Sequence, residues 1–333
     1  MAGNPRRIND SFFISELKIS ISVIGYENIG ESIVVFLQDG DEIVYTMVID
    51  SYQTQRKNQP VINKTIDILR QNHITRLDTL CWTHPHRDHS RGLSSIIKDF
   101  CDSETRFIFP PFVTGSPSDN IDLKEAEKQM VNAVLDANRY KGLKAAQVQV
   151  SCGYTPVDEF ALKSIYGDID LNYIKLYAVT PDSTELLKQV GLPVKRNPND
   201  LSVSLVLQVD TYGFLFAADT TNKHIDTCKK DILRRCRFVK IPHHASTTAD
   251  HLLSFLPSKL DAACTTLYNI GRSHLPDDDV VRKYKELGVD VYVTGIKDQK
   301  KKRQTYRMIT YNYDFSGPWP RIKLDKSCCP VMM

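Results

Sequence analysis

The sequence predicts an α/β protein, because short β-branched runs alternate along it with segments of helical periodicity. The first predicted elements are, in order, strands at 16–24, 32–38 and 43–49, a helix at 59–72, a strand at 78–82 and a helix at 92–100. The first three strands are separated by turn residues, and the helix at 59–72 has apolar residues at helical spacing. A histidine-rich loop interrupts the pattern directly after the strand at 78–82.

The same alternation continues to the end of the chain. The predicted elements are a strand at 106–111, one or two helices at 121–147, short strands over 148–180, a helix at 183–190, strands at 202–209 and 214–219, a helix at 223–235, a strand at 237–241, a helix at 249–256, a strand at 261–269, a helix at 277–287 and two closing strands. No Gly/Ser linker and no repeat of fixed period divides them. We therefore expect one domain over 1–325 and a short tail at 326–333, which includes the pair Cys328–Cys329.

Composition predicts a cytoplasmic protein without a membrane segment. The chain has 333 residues, of which 41% are hydrophobic and 25% charged, as in ordinary globular proteins. A net charge of +3 neither requires nor excludes a nucleic-acid partner. The eight cysteines lack CxxC spacing, and most sit among apolar residues, which indicates reduced core thiols.

The histidine-rich loop reads His-Pro-His-Arg-Asp-His over 84–89. In an extended loop, residues i and i+2 point the same way, so His84 and His86 can bind one cation together. Asp88 and His89 follow where the chain turns and can face a second cation. Imidazole and carboxylate groups bind zinc- and manganese-type ions. The loop therefore predicts two divalent metal ions (Zn or Mn); the alternative is a histidine-rich surface loop.

Later strand ends supply further candidate ligands. Asp219 follows the strand at 214–219 and can bridge two cations; the alternative is a helix N-cap. His243 and His244 are adjacent, and alternate strand residues face opposite sides, so only one of them is expected to bind metal. We place His243 among the ligands and His244 among the catalytic groups, and the reverse assignment stays open. His274 lies in a loop before a helix, where a structural role is the alternative.

Six motifs in this order resemble the metallo-β-lactamase fold, and more specifically the soluble hydrolase domain of the ComEC-like competence proteins. They are IDS at 49–51, THPHRDHSRGL at 83–93, NDLSVSLVL at 199–207, FLFAAD at 214–219, VKIPHHAS at 239–246 and NIGRSHLP at 269–276. The resemblance implies a four-layer αββα sandwich with metals at one sheet edge, and it leaves 121–147 as a helical insertion. It also implies that Asp50 orients the metal-binding histidines.

The chain departs from that family at several positions. Many members carry a histidine about 20 residues before the bridging aspartate, where this chain has Asn199, as the competence subgroup commonly does. An amide oxygen in place of imidazole makes the first site harder, which favours manganese over zinc. Ala245 stands where the subgroup usually has glycine. The transmembrane channel of the competence proteins is missing from this sequence, so DNA uptake is not implied.

The chemistry has to be argued from the site, since the fold hosts many reactions. Our leading expectation is a dinuclear hydrolase of phosphodiesters, with a nuclease acting on DNA or RNA as the main case. Basic residues near the expected site support it: Arg87, Arg91, Lys195, Arg196, Lys240, Arg272 and the run at 300–303. The alternatives are a hydrolase of a small ester, lactone or amide, for which we see no clear hydrophobic mouth, and a non-catalytic interaction domain.

Roles are then expected for individual side chains. Lys240, or whichever of the two adjacent histidines binds no metal, is expected to steady the phosphate or protonate the leaving group. Asp88 contributes to catalysis through its metal, and His274 is expected to donate a hydrogen bond to a phosphate oxygen. Arg87, Arg272 and Ser246 are expected to contact the substrate. A protein partner is possible on this view, and the oligomeric state stays open.

Overall fold

The computed structural model describes residues 12–13, 16–54, 60–111, 121–148, 150, 155–163, 172–187, 197–271, 273–296, 305–316, 320–328 and 331–332. Within them the strands are β1 (Phe12–Phe13), β2 (Leu17–Tyr26), β3 (Gly30–Asp39), β4 (Glu42–Ile49), β5 (Thr79–Cys81), β6 (Arg106–Phe109), β7 (Lys144–Gln147), β8 (Thr155–Lys163), β9 (Asn172–Ala178), β10 (Leu205–Val209), β11 (Tyr212–Phe216), β12 (Cys236–Lys240), β13 (Ala262–Thr266), β14 (Tyr268–Ile270), β15 (Ser273–Leu275), β16 (Val291–Thr294), β17 (Tyr306–Asp314), β18 (Arg321–Cys328) and β19 (Val331–Met332).

Helices lie between these strands. They are α1 (Lys64–Gln71), α2 (Arg87–Ser90), α3 (Leu93–Phe100), α4 (Glu125–Lys141), α5 (Ser183–Leu187), α6 (Asn222–Ile225), α7 (Lys230–Leu233) and α8 (Asp278–Lys285), with 3-10 segments at Pro198–Leu201, Pro242–Ala245 and Thr247–Phe255. The predicted α/β class is therefore confirmed. Among the described residues, no helix is both long and apolar enough to span a membrane.

Two large sheets and one hairpin contain these strands. One sheet has the order β1-β8-β9-β10-β11-β12-β13-β16-β19, the other has β18-β17-β2-β3-β4-β5-β6-β7, and β14 pairs with β15. Each large sheet contains a parallel run, β4 to β7 in one and β11, β12, β13 and β16 in the other. Carboxyl ends of neighbouring parallel strands meet at one edge, so loops after these strands are brought together.

The core follows from the period of two in the strands. In β3, Ile33 and Val35 pack into a cluster shared with strands of the other sheet, while Val34 and Phe36 pack against helices of their own side. Residues of α1, α3 and α4 complete that second cluster, and residues of α7 and α8 cover the outer side of the nine-stranded sheet. Because alternate side chains of a strand point to opposite faces of its sheet, strands such as β3 bury side chains on both faces.

Three sequence expectations need correction. The segment at 121–147, expected to be helical, contains the single helix α4. Gly142, which follows this helix, has a left-handed φ of 62°, and the residues after Gly142 form β7 beside β6. The strand at 261–269 is two strands, because the chain leaves the sheet after Thr266 to form the β14–β15 hairpin. The boundary at 325 falls inside β18, and β19 pairs with β16, so the described part of 326–333 continues the sheets.

Candidate metal centre

The loop after β5 brings its histidines together. His84 and His89 are fully buried, and His86 is half-buried. The ring centroids of His84 and His89 are 4.2 Å apart, and those of His84 and His86 are 5.0 Å apart. Helix α2 begins at Arg87, so Asp88 and His89 lie in its first turn.

Asp219 joins this loop from the other sheet and belongs to two groups of possible metal ligands. One group is His84, His86 and Asp219; the other is Asp88, His89, Asp219 and His244. In each group the ligand atoms lie within 4.8 Å of one another. Since the two oxygens of one carboxylate can contact two cations, Asp219 is the side chain able to bridge them.

The spacing of these atoms fits bound cations better than direct hydrogen bonds. His89 Nε2 lies 3.5 Å from one oxygen of Asp219, and His84 Nε2 lies 3.7 Å from the other. Two ligands held about 2.1 Å from one tetrahedral ion are roughly 3.4 Å apart. The Nε2 atoms of His84 and His89 are buried and have no hydrogen-bond partner, an arrangement that is costly unless an ion contacts them. The residues present therefore fit divalent metal ions.

Asp50 and Thr83 set the direction of two of these histidines. Asp50 Oδ2 lies 2.6 Å from His89 Nδ1 and accepts a hydrogen bond of 2.6 Å from the Thr83 hydroxyl. That hydroxyl lies 3.0 Å from His84 Nδ1, and since its hydrogen goes to Asp50, it accepts the hydrogen of His84. Both histidines therefore carry a proton on Nδ1 and direct Nε2 into the metal groups.

Strained backbone places the remaining ligands. Ala218, directly before Asp219, has a φ of 46°, and His243, His244 and Ala245 have φ values of 47°, 51° and 61°. The left-handed region costs about 1–2 kcal/mol for each non-glycine residue, so the surrounding structure must hold these residues there. Such a run does not alternate like a strand, and the strand rule used to separate the two histidines does not apply to it.

His244, and not His243, joins the metal groups, which reverses the assignment made from the sequence. His244 Nε2 lies 3.3 Å from Asp88 Oδ2 and 3.6 Å from Asp219 Oδ2. His243 instead contacts the Thr248 hydroxyl at 2.7 Å through Nδ1, and its Nε2 accepts a hydrogen bond of 3.1 Å from the amide of Asn199. The Oδ1 atom of Asn199 is buried without a hydrogen-bond partner and stays available to an ion.

Burial and neighbouring charges shift the pKa values of three side chains in this cluster. Burial alone would raise the pKa of Asp219, but His244 and His89 hold it well below its ordinary value. Burial lowers the pKa of His84, and the neighbouring His89 lowers it further, so His84 is neutral and ready to bind a cation. Burial alone would lower the pKa of His89, but Asp219 and Asp88 hold it well above its ordinary value. A cation would displace this proton, as metal binding generally does.

Lys240, which we expected to steady the phosphate or protonate the leaving group, is paired with a carboxylate inside the protein. Its side chain is fully buried, and its ammonium lies 2.7 Å from Glu31 Oε2, which is also buried. Glu31 was missed from the sequence, although a charged residue at the start of the apolar strand β3 was a usable signal. Glu31 also forms a group with Asp50 and His89 beneath the metal loop.

Other predicted site residues have mixed outcomes. Ser246 Oγ accepts a hydrogen bond from Thr248 N and caps the following 3-10 segment, so its hydroxyl is engaged in local structure. His274 is exposed, and its Nδ1 is hydrogen-bonded to Asn269 within the hairpin. His224 is 1% exposed, and its Nδ1 accepts a hydrogen bond from Asp182 N. The basic positions outside the described residues are Lys195, Arg196, Arg272 and 300–303.

A cavity of about 520 Å³ opens beside the metal groups. Its lining residues are Ile29, His86, Arg87, Asp88, Asp122, Lys124, Ala126, Glu127, Asn197, Pro198, Tyr268 and Ile270. This volume lies within the range of small-molecule sites, about 300–1,000 Å³. Its walls combine apolar side chains with both signs of charge, which corrects the expectation that the site lacks a hydrophobic mouth.

Tyr268 connects this cavity to the metal groups and was not anticipated from the sequence. Its ring stacks on His244 with centroids 5.1 Å apart. Burial raises the pKa of Tyr268 to about 12, and the carboxylates of Asp88 and Asp219 add to the effect. The phenol is therefore protonated at neutral pH and can donate a hydrogen bond inside the cavity.

Comparisons with known proteins add one structural likeness. No family model matches the chain, and no curated protein matches it. Among solved structures, the crystal structure of a new diphosphatase from the PhnP family is similar, with a TM-score of 0.42 and 10% sequence identity. The match covers 90% of this chain and 98% of that one. A likeness at this level carries no conclusion about what this chain acts on.

Proposed function

We propose that this chain is a metal-dependent hydrolase of phosphodiesters. We also propose that it has the αββα sandwich implied by the resemblance of its motifs. The observation that carries the proposal is Asp219, which belongs to both groups of possible ligands, with Oδ2 3.7 Å from His84 Nε2 and Oδ1 3.5 Å from His89 Nε2. Two divalent ions at such a site supply water activation at neutral pH and neutralise charge at both oxygens of an in-line displacement.

The residues of this chain then divide the work. The metal ligands are His84, His86, Asp88, His89, Asp219 and His244, with Asn199 Oδ1 as a further oxygen next to His243. Asp50 and Thr83 keep the histidine Nε2 atoms directed at the ions. Arg87 is exposed in the cavity wall and can pair with a phosphate oxygen. Tyr268, protonated at neutral pH, can donate a hydrogen bond to a phosphate or leaving-group oxygen.

A nuclease remains the finer form of this proposal, with a short nucleic-acid end as the bound segment. The cavity of about 520 Å³ suits one or two nucleotides better than a long duplex tract, and Arg87 and Lys124 are its cationic lining residues. Asp122 and Glu127 repel a polyanion at the same wall. The enclosed shape therefore favours an exposed terminus or a small diester over the middle of a strand.

A second candidate is a hydrolase of small esters, lactones or amides. The apolar lining favours it, since Ile29, Pro198 and Ile270 offer the surface that a neutral substrate would need. Arg87 separates the two candidates, because a cation at the reacting end helps an anionic phosphate and contributes little to a neutral ester.

The test compares substrates on one metal-loaded preparation. Bis(p-nitrophenyl) phosphate, a dinucleotide, a 20-nucleotide single strand and p-nitrophenyl acetate are assayed with the wild type, Arg87→Gln and Arg91→Gln. Arg91 is the matched control, because it lies over the Tyr52 ring at 5.7 Å and does not line the cavity. We expect phosphodiester turnover that Arg87→Gln lowers at least tenfold and Arg91→Gln leaves unchanged. Turnover of the acetate alone, or of no substrate, would contradict the proposal.

A further inference from the structure

Beneath the metal groups lies an ion pair that none of the steps above uses. Glu31 is the second residue of β3 and Lys240 is the last residue of β12, and their side chains are 2% and 0% exposed. Taking two charges out of water is expensive, and such pairs often stabilise a fold no more than apolar residues of similar size. The other contacts of Glu31 therefore indicate what the pair does besides stabilising the fold.

Glu31 reaches His244 through one hydroxyl. Thr266, the last residue of β13, donates a hydrogen bond from Oγ1 to Glu31 Oε2 at 2.5 Å, and the same Oγ1 lies 2.7 Å from His244 Nδ1. A threonine hydroxyl has a single hydrogen. Because that hydrogen is directed at Glu31, the oxygen must accept one from His244. The carbonyl of Thr266, 3.3 Å from the same nitrogen, is also an acceptor.

The consequence for His244 is a fixed tautomer. With its hydrogen on Nδ1, the ring presents the Nε2 lone pair to the group formed with Asp88, His89 and Asp219. Rotation of the ring is restricted from the other side by Tyr268, which stacks on it. Orientation by an outer hydrogen-bond partner is a general way to tune a metal-binding histidine.

Lys240 explains how a carboxylate can occupy this position. Asp50, Asp88 and Asp219 already place negative charge around His89, and Glu31 Oε1 lies 4.0 Å from His89 Nδ1. Lys240 Nζ lies 2.7 Å from Glu31 Oε2, the oxygen that accepts the hydrogen bond of Thr266, so its positive charge offsets the negative charge of the carboxylate.

We propose that Glu31 is a positioning residue for the metal centre, acting through Thr266 to hold the His244 ring with Nε2 directed into its metal group, with Lys240 as its fixed counter-charge. This inference rests on the proposed metal binding. It adds that the orientation of His244 depends on the hydroxyl of Thr266, which belongs to no metal group.

Three threonine variants test this on metal-free protein loaded with Mn²⁺ or Zn²⁺, with affinities read by competition against a chelating dye. Thr266→Val removes the hydroxyl at constant shape, and Thr266→Ser keeps it. Thr265→Val is the matched control, because Thr265 is the preceding residue, is equally buried, and its hydroxyl has no hydrogen-bond partner.

We expect Thr266→Val to weaken one of the two bound ions 10–100-fold, the usual effect of losing such a partner, while Thr266→Ser and Thr265→Val stay within about threefold. The ¹⁵N spectrum of the metal-free protein should show the His244 hydrogen on Nδ1 in wild type and Thr266→Ser, and a mixture of tautomers in Thr266→Val. Equal affinities for Thr266→Val and Thr265→Val would overturn the inference.

Should Thr266→Val not fold, Thr266→Ala, which also removes the hydroxyl, takes its place in the same measurement with the same expected tenfold or larger loss, and an unchanged affinity overturns the inference. This experiment distinguishes a failure of the inference from a failure of the proposed function. Wild-type protein that binds no divalent ion removes the proposed function itself. Wild-type protein that binds two ions, alongside a Thr266→Val variant that binds them equally well, removes only the role of Glu31 and Thr266.

Discussion

Removing one charge of the buried pair, in Lys240→Met, should destabilise the protein strongly without acting on substrate directly. The pair is enclosed, with Lys240 fully buried and Glu31 only 2% exposed. Methionine matches the length of lysine and has no charge, so the substitution leaves little empty space and isolates the electrostatic effect.

The size of the effect follows from the 2.7 Å separation of the two charged atoms. At an effective dielectric constant of about 20, the attraction at this distance is about 6 kcal/mol. The desolvation of the ammonium, which methionine avoids, offsets part of it, and breaking buried pairs in other proteins costs about 3–5 kcal/mol. We expect Lys240→Met and Glu31→Gln each to lose about 3–5 kcal/mol in the free energy of unfolding. The double variant should lie within about 2 kcal/mol of wild type.

The assay is urea unfolding of the metal-free proteins, since bound ions would add their own stabilisation. A double-mutant cycle gives the coupling energy between the two positions. Additive effects would refute this account of the pair. A Lys240→Met protein as stable as wild type, but with lower turnover on a phosphodiester, would instead restore Lys240 to the catalytic role expected from the sequence.

Four further outcomes follow from the site. Asp88→Ala should lower the bound metal and abolish turnover while circular dichroism stays native; full turnover at matched metal content would contradict a two-ion site. Metal-stripped protein should recover more activity with Mn²⁺ than with Zn²⁺, because Asn199 offers an oxygen where imidazole is absent; recovery with zinc alone would contradict this. His274→Ala should change turnover less than twofold, because His274 is exposed and hydrogen-bonded within its own hairpin. Tyr268→Phe should lower kcat on a phosphodiester about 10²-fold or more, with metal content unchanged, as expected for a lost proton donor.

Much of the metal loop could be predicted because its information is local. Four potential ligands in six positions follow one strand, and their directions depend on an extended loop and one helical turn. Asp219 was likewise found from its place at a strand end. The α/β class followed from periodicity, which local sequence also carries.

The features that the sequence did not reveal depend on distant contacts or on unusual backbone. Glu31 and Lys240 are 209 positions apart, and only the packing of the two sheets brings them together. The expectation that only one of His243 and His244 binds metal rested on strand alternation, which does not apply where both residues have left-handed φ values, and the sequence left open which one it is. Tyr268 was read as part of a single strand, so its turn toward His244 could not be foreseen.

Part of the cavity wall is separate from the metal groups. Asp122 and Lys124 line the cavity from the segment before α4, Glu127 from the first turn of α4 and Ile270 from the hairpin, and none of these four residues belongs to a metal group. Substitutions at these four positions can therefore change the lining of the cavity while the metal-binding residues stay the same. A combinatorial library confined to these four positions would be a direct route to new substrate preferences on an intact catalyst.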